Sequence, residues 1–275
     1  MATPLAIIQP VHALVLGVLE GLTEFVPVSS TGHLILGARL LGLQGAAVDT
    51  FTIVIQAGAL GAVVGLYRGQ VRALWRGLSG RDEAGRRLAL NLLVSFLPAA
   101  VVGVLFHHTI KARLFSAGAV AAALAAGGAL MIGVDRWHRS RAGSPRTLQT
   151  VTLREALWIG CAQCLSLWPG ASRAMVTIVA GLLLGWPAVL AAEYSFLLAL
   201  PTLGAAAVFD LLTGGRELAA AVGGLSLACG FLAAAGVATL AVHSFLRSLP
   251  RWGLEPFGWY RLALAVVVWW LGVPR

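Results

Sequence analysis

Charge is what this sequence has least of. Only 11% of its 275 residues are charged and 59% are hydrophobic, whereas a soluble domain carries roughly 25% charged and 45–50% apolar residues. A chain so poor in charge cannot cover its surface in water, which excludes a soluble protein and points to the bilayer. Lysine is almost missing, since Lys111 stands alone, and the formal net charge of +9 is carried by arginine. The arginines fall in short gaps between apolar runs, where they set topology and form no face for nucleic acid. Cysteine is scarce too, with three in the chain. Cys161 and Cys164 form a C-x-x-C in an apolar helical stretch, where cysteine behaves as a small apolar residue, and no second pair completes a zinc site. Met1 to Gln9 lacks a basic stretch and a cleavage site, so it reads as the start of the first membrane segment.

Long apolar sequence is what the chain has in plenty. Stretches at about 50–67, 88–106, 114–134, 187–212, 218–243 and 257–273 each approach the ~20 residues that cross a ~30 Å hydrocarbon core. They predict six full spans. Two more apolar regions behave differently. Residues 7–42 break at Pro27-Val28-Ser29-Ser30-Thr31-Gly32-His33, and residues 155–185 break at Trp168-Pro169-Gly170-Ala171-Ser172-Arg173. Proline ends the helical ladder, and glycine or hydroxyl residues after it favour a turn. Irregular backbone at membrane depth survives only inside protein or along a watery cavity. Both regions therefore read as re-entrant hairpins of two half-helices.

The arginines support that reading. If each hairpin enters and leaves on one side, residues 68–87, 135–154 and 246–256 share a face that holds thirteen of the twenty basic residues. The opposite face holds Arg39, Lys111, Arg113, Arg216 and Arg275, while Arg173 and Arg261 lie within apolar regions. The positive-inside rule makes the richer face cytoplasmic and puts both termini outside. The first hairpin then opens outward and the second inward, with three spans after each. The expected fold is all-α, an inverted repeat with halves at about 1–134 and 150–275 in a single integral membrane domain. Gly17 to Thr23 aligns with Gly160 to Ser166, and with one residue of slippage Pro27-x-x-Ser30 aligns with Pro169-x-x-Ser172. Broken helices at matching positions place a site at the repeat interface near the midplane.

The chemistry-bearing residues cluster at these breaks. Glu20 and Glu24 stand four apart and face one way on the first half-helix. Carboxylates in a membrane segment are costly and seldom idle. A helix end in water would tolerate them, but their apolar setting favours a divalent-cation site, Mg²⁺ or Ca²⁺ by oxygen hardness, or an acid/base pair. Ser29, Ser30 and Thr31 then open the next half-helix, whose N-terminus favours an anion. His33, in its first turn, suits a base or a nucleophile. Ser172 and Arg173 mirror them in the second hairpin, and the arginine fork suits phosphate oxygens, the plainer alternative being a pair with Glu193 or Asp210. Gln56 and Glu193 lie in the spans after each hairpin, where they can orient site groups. Arg261 reads as a helix-end anchor, Trp269 and Trp270 as an interfacial belt, and His12, His107, His108 and His243 as interfacial.

The run Glu20-Gly21-Leu22-Thr23-Glu24-Phe25-Val26-Pro27-Val28-Ser29-Ser30-Thr31-Gly32-His33 closely resembles the first signature of the BacA-type undecaprenyl-diphosphate phosphatases. Pro169-Gly170-Ala171-Ser172-Arg173 resembles the second, and the likeness extends over about residues 7–273. The resemblance implies a bacterial inner-membrane hydrolase that converts undecaprenyl diphosphate to the monophosphate, recycling the lipid carrier of cell-wall synthesis. It assigns Glu20 and Glu24 to metal and water handling, Ser30 and His33 to catalysis, and Arg173 to phosphate. Serine and histidine both stand as candidate nucleophiles. Ser29, Thr31, Ser172 and Gln56 join Arg173 as expected substrate contacts. Ala174 and Met175 replace the Ser-Gly that usually follows the second motif, which predicts a different phosphate grip there. Thr52 stands where some members carry an acidic residue.

Expected partners are a polyprenyl diphosphate and the membrane, with a homodimer as a candidate assembly and no nucleic acid. A transporter or flippase of a phosphorylated polyprenyl lipid is the alternative, because inverted repeats with broken helices also build carriers. A different lipid-phosphatase superfamily is excluded by Val179, which stands six residues after Arg173 where a histidine would be needed.

Overall fold

A polar turn inside an apolar segment can persist only if other helices enclose it, and the helices of this chain are arranged to do so. The computed structural model describes residues 8–114, 116–140 and 146–271, which form an all-α polytopic membrane protein. The helices are α1 (Pro10–Thr23), α2 (Ser30–Leu40), α3 (Ala46–Leu66), α4 (Arg68–Leu78), α5 (Glu83–Leu114), α6 (Ala117–Arg139), α7 (Leu153–Gln163), α8 (Arg173–Leu183), α9 (Ala188–Ala221), α10 (Gly224–Trp252) and α11 (Glu255–Trp270). Residues 1–7, Phe115, residues 141–145 (Arg141 included) and 272–275 (Arg275 included) lie outside the described residues. So do the side chains of His107, His108, Lys111 and Arg113.

Both expected breaks are present. α1 and α2 are separated by a turn over residues 24–29, and α7 and α8 by a 3₁₀ turn at Cys164–Leu167 followed by irregular chain to Ser172. Among the described residues five helices, α3, α5, α6, α9 and α10, are long and apolar enough to cross a membrane. The sixth expected span is α11, whose 16 residues extend ~24 Å at 1.5 Å per residue, short of a full hydrocarbon core. Two boundaries also move. α9 continues to Ala221, and Gly223 then caps α10, so the span expected from 218 begins at Gly224. Residues 68–87, expected as a loop, contain α4, with Trp75 and Leu78 exposed beside Arg72 and Arg76.

Close packing rests on small residues, as between helices in lipid, where apolar contact alone gives no preference over the acyl chains. A Cβ on Gly21 would lie 2.7 Å from the Ala234 carbonyl oxygen, which shows how tightly α1 crosses α10. Gly128 meets the Gly258 carbonyl at the same distance where α6 crosses α11. Gly127, one residue earlier, opens a notch for the Arg261 guanidinium and the Met175 methyl. On the opposite flank α7 is tethered by Arg146, which donates to both Glu155 carboxylate oxygens at 2.6 and 2.9 Å, while Trp186 Nε1–H donates to the first at 3.2 Å.

Arg261 is not the helix-end anchor that its sequence suggests. It is fully buried, and its guanidinium donates to the Pro27 carbonyl at 3.4 Å, Gly170 at 2.9 Å, Ala171 at 3.1 Å and Ala123 at 3.2 Å. The residue therefore joins the turn of the first hairpin to the turn of the second. Trp269 and Trp270 are strongly exposed at the far end of the same helix, as an interfacial belt requires.

Gly127→Val is expected to lower stability by about 1–3 kcal/mol or more, the usual cost of overpacking, because the new methyls displace Arg261. Gly236→Val faces open space and should leave thermal unfolding in detergent unchanged.

Candidate active site

The two broken helices bring their ends together around one carboxylate. Glu24 follows the last residue of α1 and is buried, and the Ser30 hydroxyl, at the start of α2, donates to its Oε2 at 2.6 Å. Arg173, first residue of α8, donates from Nη2 to Glu24 Oε1 at 3.1 Å. The other arm of Arg173 donates from Nη1 to the Ser195 carbonyl at 2.8 Å and to Ser195 Oγ at 3.2 Å. Thr177 in turn donates to Ser195 Oγ at 2.7 Å, so α8 and α9 hold the fork from behind. The guanidinium carbon sits 5.7 Å from the centre of the Phe25 ring, an arrangement that favours a cation. The expected alternatives for Arg173, Glu193 and Asp210, are not its described partners. Its carboxylate is Glu24.

Glu20 lies one turn back on α1. Its side chain is fully buried, and both carboxylate oxygens lack a hydrogen-bond partner among the described residues. A buried carboxylate with no donor is costly, and it has acceptor capacity to offer a cation or a proton. Hard oxygens from Glu20, Glu24 and Ser30 fit Mg²⁺ or Ca²⁺ in kind. Among the described residues no group of three His, Cys, Asp or Glu side chains comes together to hold a metal.

Ser29 and Ser172 are the structural counterparts of each other. Each precedes its half-helix, and each has a positive φ, 75° and 69°, that non-glycine residues rarely adopt. Each hydroxyl accepts from a backbone N–H of the first turn, Gly32 at 3.4 Å and Met175 at 3.3 Å. This corrects the slipped alignment of Ser30 with Ser172. The unslipped register that pairs Glu20 with Gln163 also pairs Ser29 with Ser172 and Ser30 with Arg173. Among the described residues, the amides of Ser30, Thr31, Arg173 and Ala174 find no protein acceptor. Two helix N-termini thus present free donors, which suits an anion with several oxygens. Met175 and Ala174 are buried, and the Met175 methyl turns to the notch at Gly127.

His33 stands apart from this cluster. Its Nδ1 lies 2.7 Å from the Ser29 carbonyl oxygen and its Nε2 lies 2.6 Å from the Tyr260 hydroxyl. Thr31 is half-buried in the first turn of α2. Gln56 on α3 and Glu193 on α9 are half-buried and make no hydrogen bond to the cluster among the described residues. Gln163, the counterpart of Glu20, is fully buried and engaged, donating to the Ser95 carbonyl at 3.3 Å and accepting from Thr202 at 3.4 Å. Sequence reading missed Ser195, Thr177 and Tyr260. Ser195 and Thr177 were signalled only as hydroxyls in apolar helices, while Tyr260 carried no local signal.

Comparisons with known proteins agree on one family. The family model described as bacitracin resistance protein BacA matches residues 13–267. An undecaprenyl-diphosphatase of Sorangium cellulosum is 57% identical over 262 residues, covering 94% of this chain and 85% of that protein. One from Nitratidesulfovibrio vulgaris strain Hildenborough is 45% identical over 262 residues, covering 94% and 97%. Undecaprenyl-diphosphatase 1 of Chromobacterium violaceum is 41% identical over 268 residues, covering 95% and 97%.

The buried pair has a measurable signature. Arg173→Gln leaves Glu24 buried beside an uncompensated site and should cost about 3–5 kcal/mol, as for other broken buried pairs. The double variant with Glu24→Gln should unfold at a higher temperature than Arg173→Gln alone, because it removes the unpaired charge.

Proposed function

Since the chain belongs to the family of the bacitracin resistance protein BacA, we propose that Glu24, Ser30 and Arg173 form the reacting centre of its diphosphatase chemistry. The protein is a membrane hydrolase that cleaves undecaprenyl diphosphate to undecaprenyl phosphate and inorganic phosphate. One observation carries the assignment of roles: Glu24 accepts from Ser30 with one oxygen and from Arg173 with the other. A carboxylate so placed takes the proton of the serine hydroxyl as Ser30 Oγ attacks the terminal phosphorus. The bond from that phosphorus to the bridging oxygen breaks, and undecaprenyl phosphate leaves with the electron pair. Water then cleaves the phosphoserine, returning the proton to the serine and releasing phosphate.

Charge on the phosphoryl oxygens grows in the transition state, and donors already fixed in place stabilise it without reorganising. Arg173 is such a donor. The free amides of Ser30, Thr31, Arg173 and Ala174 are others, and Ser29 and Ser172 hold them in position. Glu20 and Glu24 would hold Mg²⁺ or Ca²⁺, which supplies charge neutralisation on the diphosphate. The chain works as a hydrolase in a multi-pass membrane setting, and the lipid-carrier alternative has no observation in its favour. On the arginine distribution, we place the termini and the mouth of the site outside the cytoplasmic membrane, with the halves inverted about the midplane.

Purified protein is expected to release phosphate from a polyprenyl diphosphate with Mg²⁺ or Ca²⁺ and to lose this activity in EDTA. Ser30→Ala and Glu24→Gln should each lower kcat by about 10²- to 10⁴-fold while the protein stays folded. Near-normal turnover in either variant would remove that residue from the reaction. Leu40, 82% exposed at the end of α2, and Trp75, 71% exposed on α4, test the orientation. In a background without the native cysteines, Leu40→Cys should react with an impermeant thiol reagent in intact spheroplasts and Trp75→Cys should not.

A further inference from the structure

His33 makes no hydrogen bond, among the described residues, to the serine it would be expected to serve. Ser30 gives its proton to Glu24. The imidazole instead lies between a backbone carbonyl and a phenol from the far end of the chain. A carbonyl oxygen can only accept, so the hydrogen bond at Ser29 requires that Nδ1 carry a proton. In the neutral ring Nε2 is then the acceptor, and the Tyr260 hydroxyl at 2.6 Å is its donor. The two rings lie parallel, 2° apart with centroids at 5.6 Å.

The mounting of Tyr260 is equally definite. Arg261, the next residue of α11, donates to the Pro27 carbonyl in the turn that precedes α2. Two consecutive residues of the last helix therefore hold both ends of the segment Pro27–His33. Arg261 is also fixed to the second turn through Gly170 and Ala171, so α11 cannot shift without disturbing both hairpins. Tyr260 itself is 47% exposed and His33 is half-buried, whereas Glu20 is fully buried.

We infer that Tyr260 is a positioning residue for the diphosphatase reaction, holding His33 by Nε2 in the Nδ1–H tautomer. The inference rests on the hydrolase reading above. It gives His33 a place distinct from Ser30: with Nε2 held by the phenol, the ring is not the attacking group. It is oriented instead to exchange a proton through Nε2 once a phosphate oxygen displaces the phenol. The partners that orient a functional histidine act by the same means at metal sites, where they set the tautomer and the ring angle.

Tyr260→Phe tests this directly, since it keeps the stacked ring and removes one partly exposed hydroxyl. Two readouts are needed. The first is the ¹⁵N spectrum of ring-labelled histidine in proteoliposomes without substrate, with His33→Gln used to assign the His33 signals. The second is kcat and KM for phosphate release from a polyprenyl diphosphate. The expected result is loss of the pure Nδ1–H signature of His33, with kcat down about 10- to 100-fold and KM within about twofold. An unchanged ¹⁵N spectrum overturns the inference whatever the rate. A changed spectrum with unchanged kcat overturns it as well, because the tautomer would then not bear on the reaction. Absence of phosphate release from the wild-type protein sinks the hydrolase reading and this inference together, whereas normal release from both proteins sinks the inference alone.

Discussion

A guanidinium buried among apolar helices needs carbonyls for most of its protons, and intact helices have few to give it. That constraint shapes the middle of this protein. Arg261 satisfies its arms with four backbone carbonyls, three of which belong to the turns of the two broken helices. Those turns have carbonyls to give because the helical ladder has been interrupted there. The buried cation and the broken helices thus depend on one another: the breaks supply acceptors, and the cation closes the breaks. Gly127 completes the arrangement by leaving room for the guanidinium where α6 passes.

The second buried arginine is neutralised differently, and the difference separates structure from chemistry. Arg173 faces a carboxylate and a serine on α9, with an aromatic ring beneath it. The pair leaves little net charge at the centre, and Arg173 keeps its Nε–H without an acceptor among the described residues. The first residues of two helices reach Glu24 through their side chains, and amides in both first turns find no acceptor among the described residues. In a medium of low dielectric such fixed dipoles act more strongly than in water. Glu20 is the exception, a carboxylate without a donor among the described residues.

The breaks were legible because their causes are local. Pro27 and Pro169 stand beside hydroxyl and glycine residues that together announce a turn, whereas Pro98, Pro201 and Pro250 stand inside helices. The carboxylates at Glu20 and Glu24 were legible because charge in an apolar run stands out. What the sequence hid is whatever joins distant segments. Tyr260 meets His33 across most of the chain, and no spacing rule reaches that far. Arg261 was misread for the same reason: near the end of the last apolar run, an interfacial anchor is the ordinary explanation, and only the packing shows four carbonyls around it. The slipped register came from matching Ser30 to Ser172 by residue type. Backbone conformation, which type does not reveal, pairs Ser29 with Ser172. The shortness of α11 was hidden because hydropathy marks apolar extent and not where a helix ends.

Correspondence between the hairpins also bears on why they differ. The serine that faces Glu24 and the arginine that faces it from the other side occupy equivalent places, as do Glu20 and the fully engaged Gln163. Two identical copies of one hairpin would present two serines or two arginines there, and two acids or two amides behind them. Neither set makes an acid, a hydroxyl and a cation meet. A single polypeptide carrying both hairpins lets each differ from the other, and that difference is what brings the three groups together.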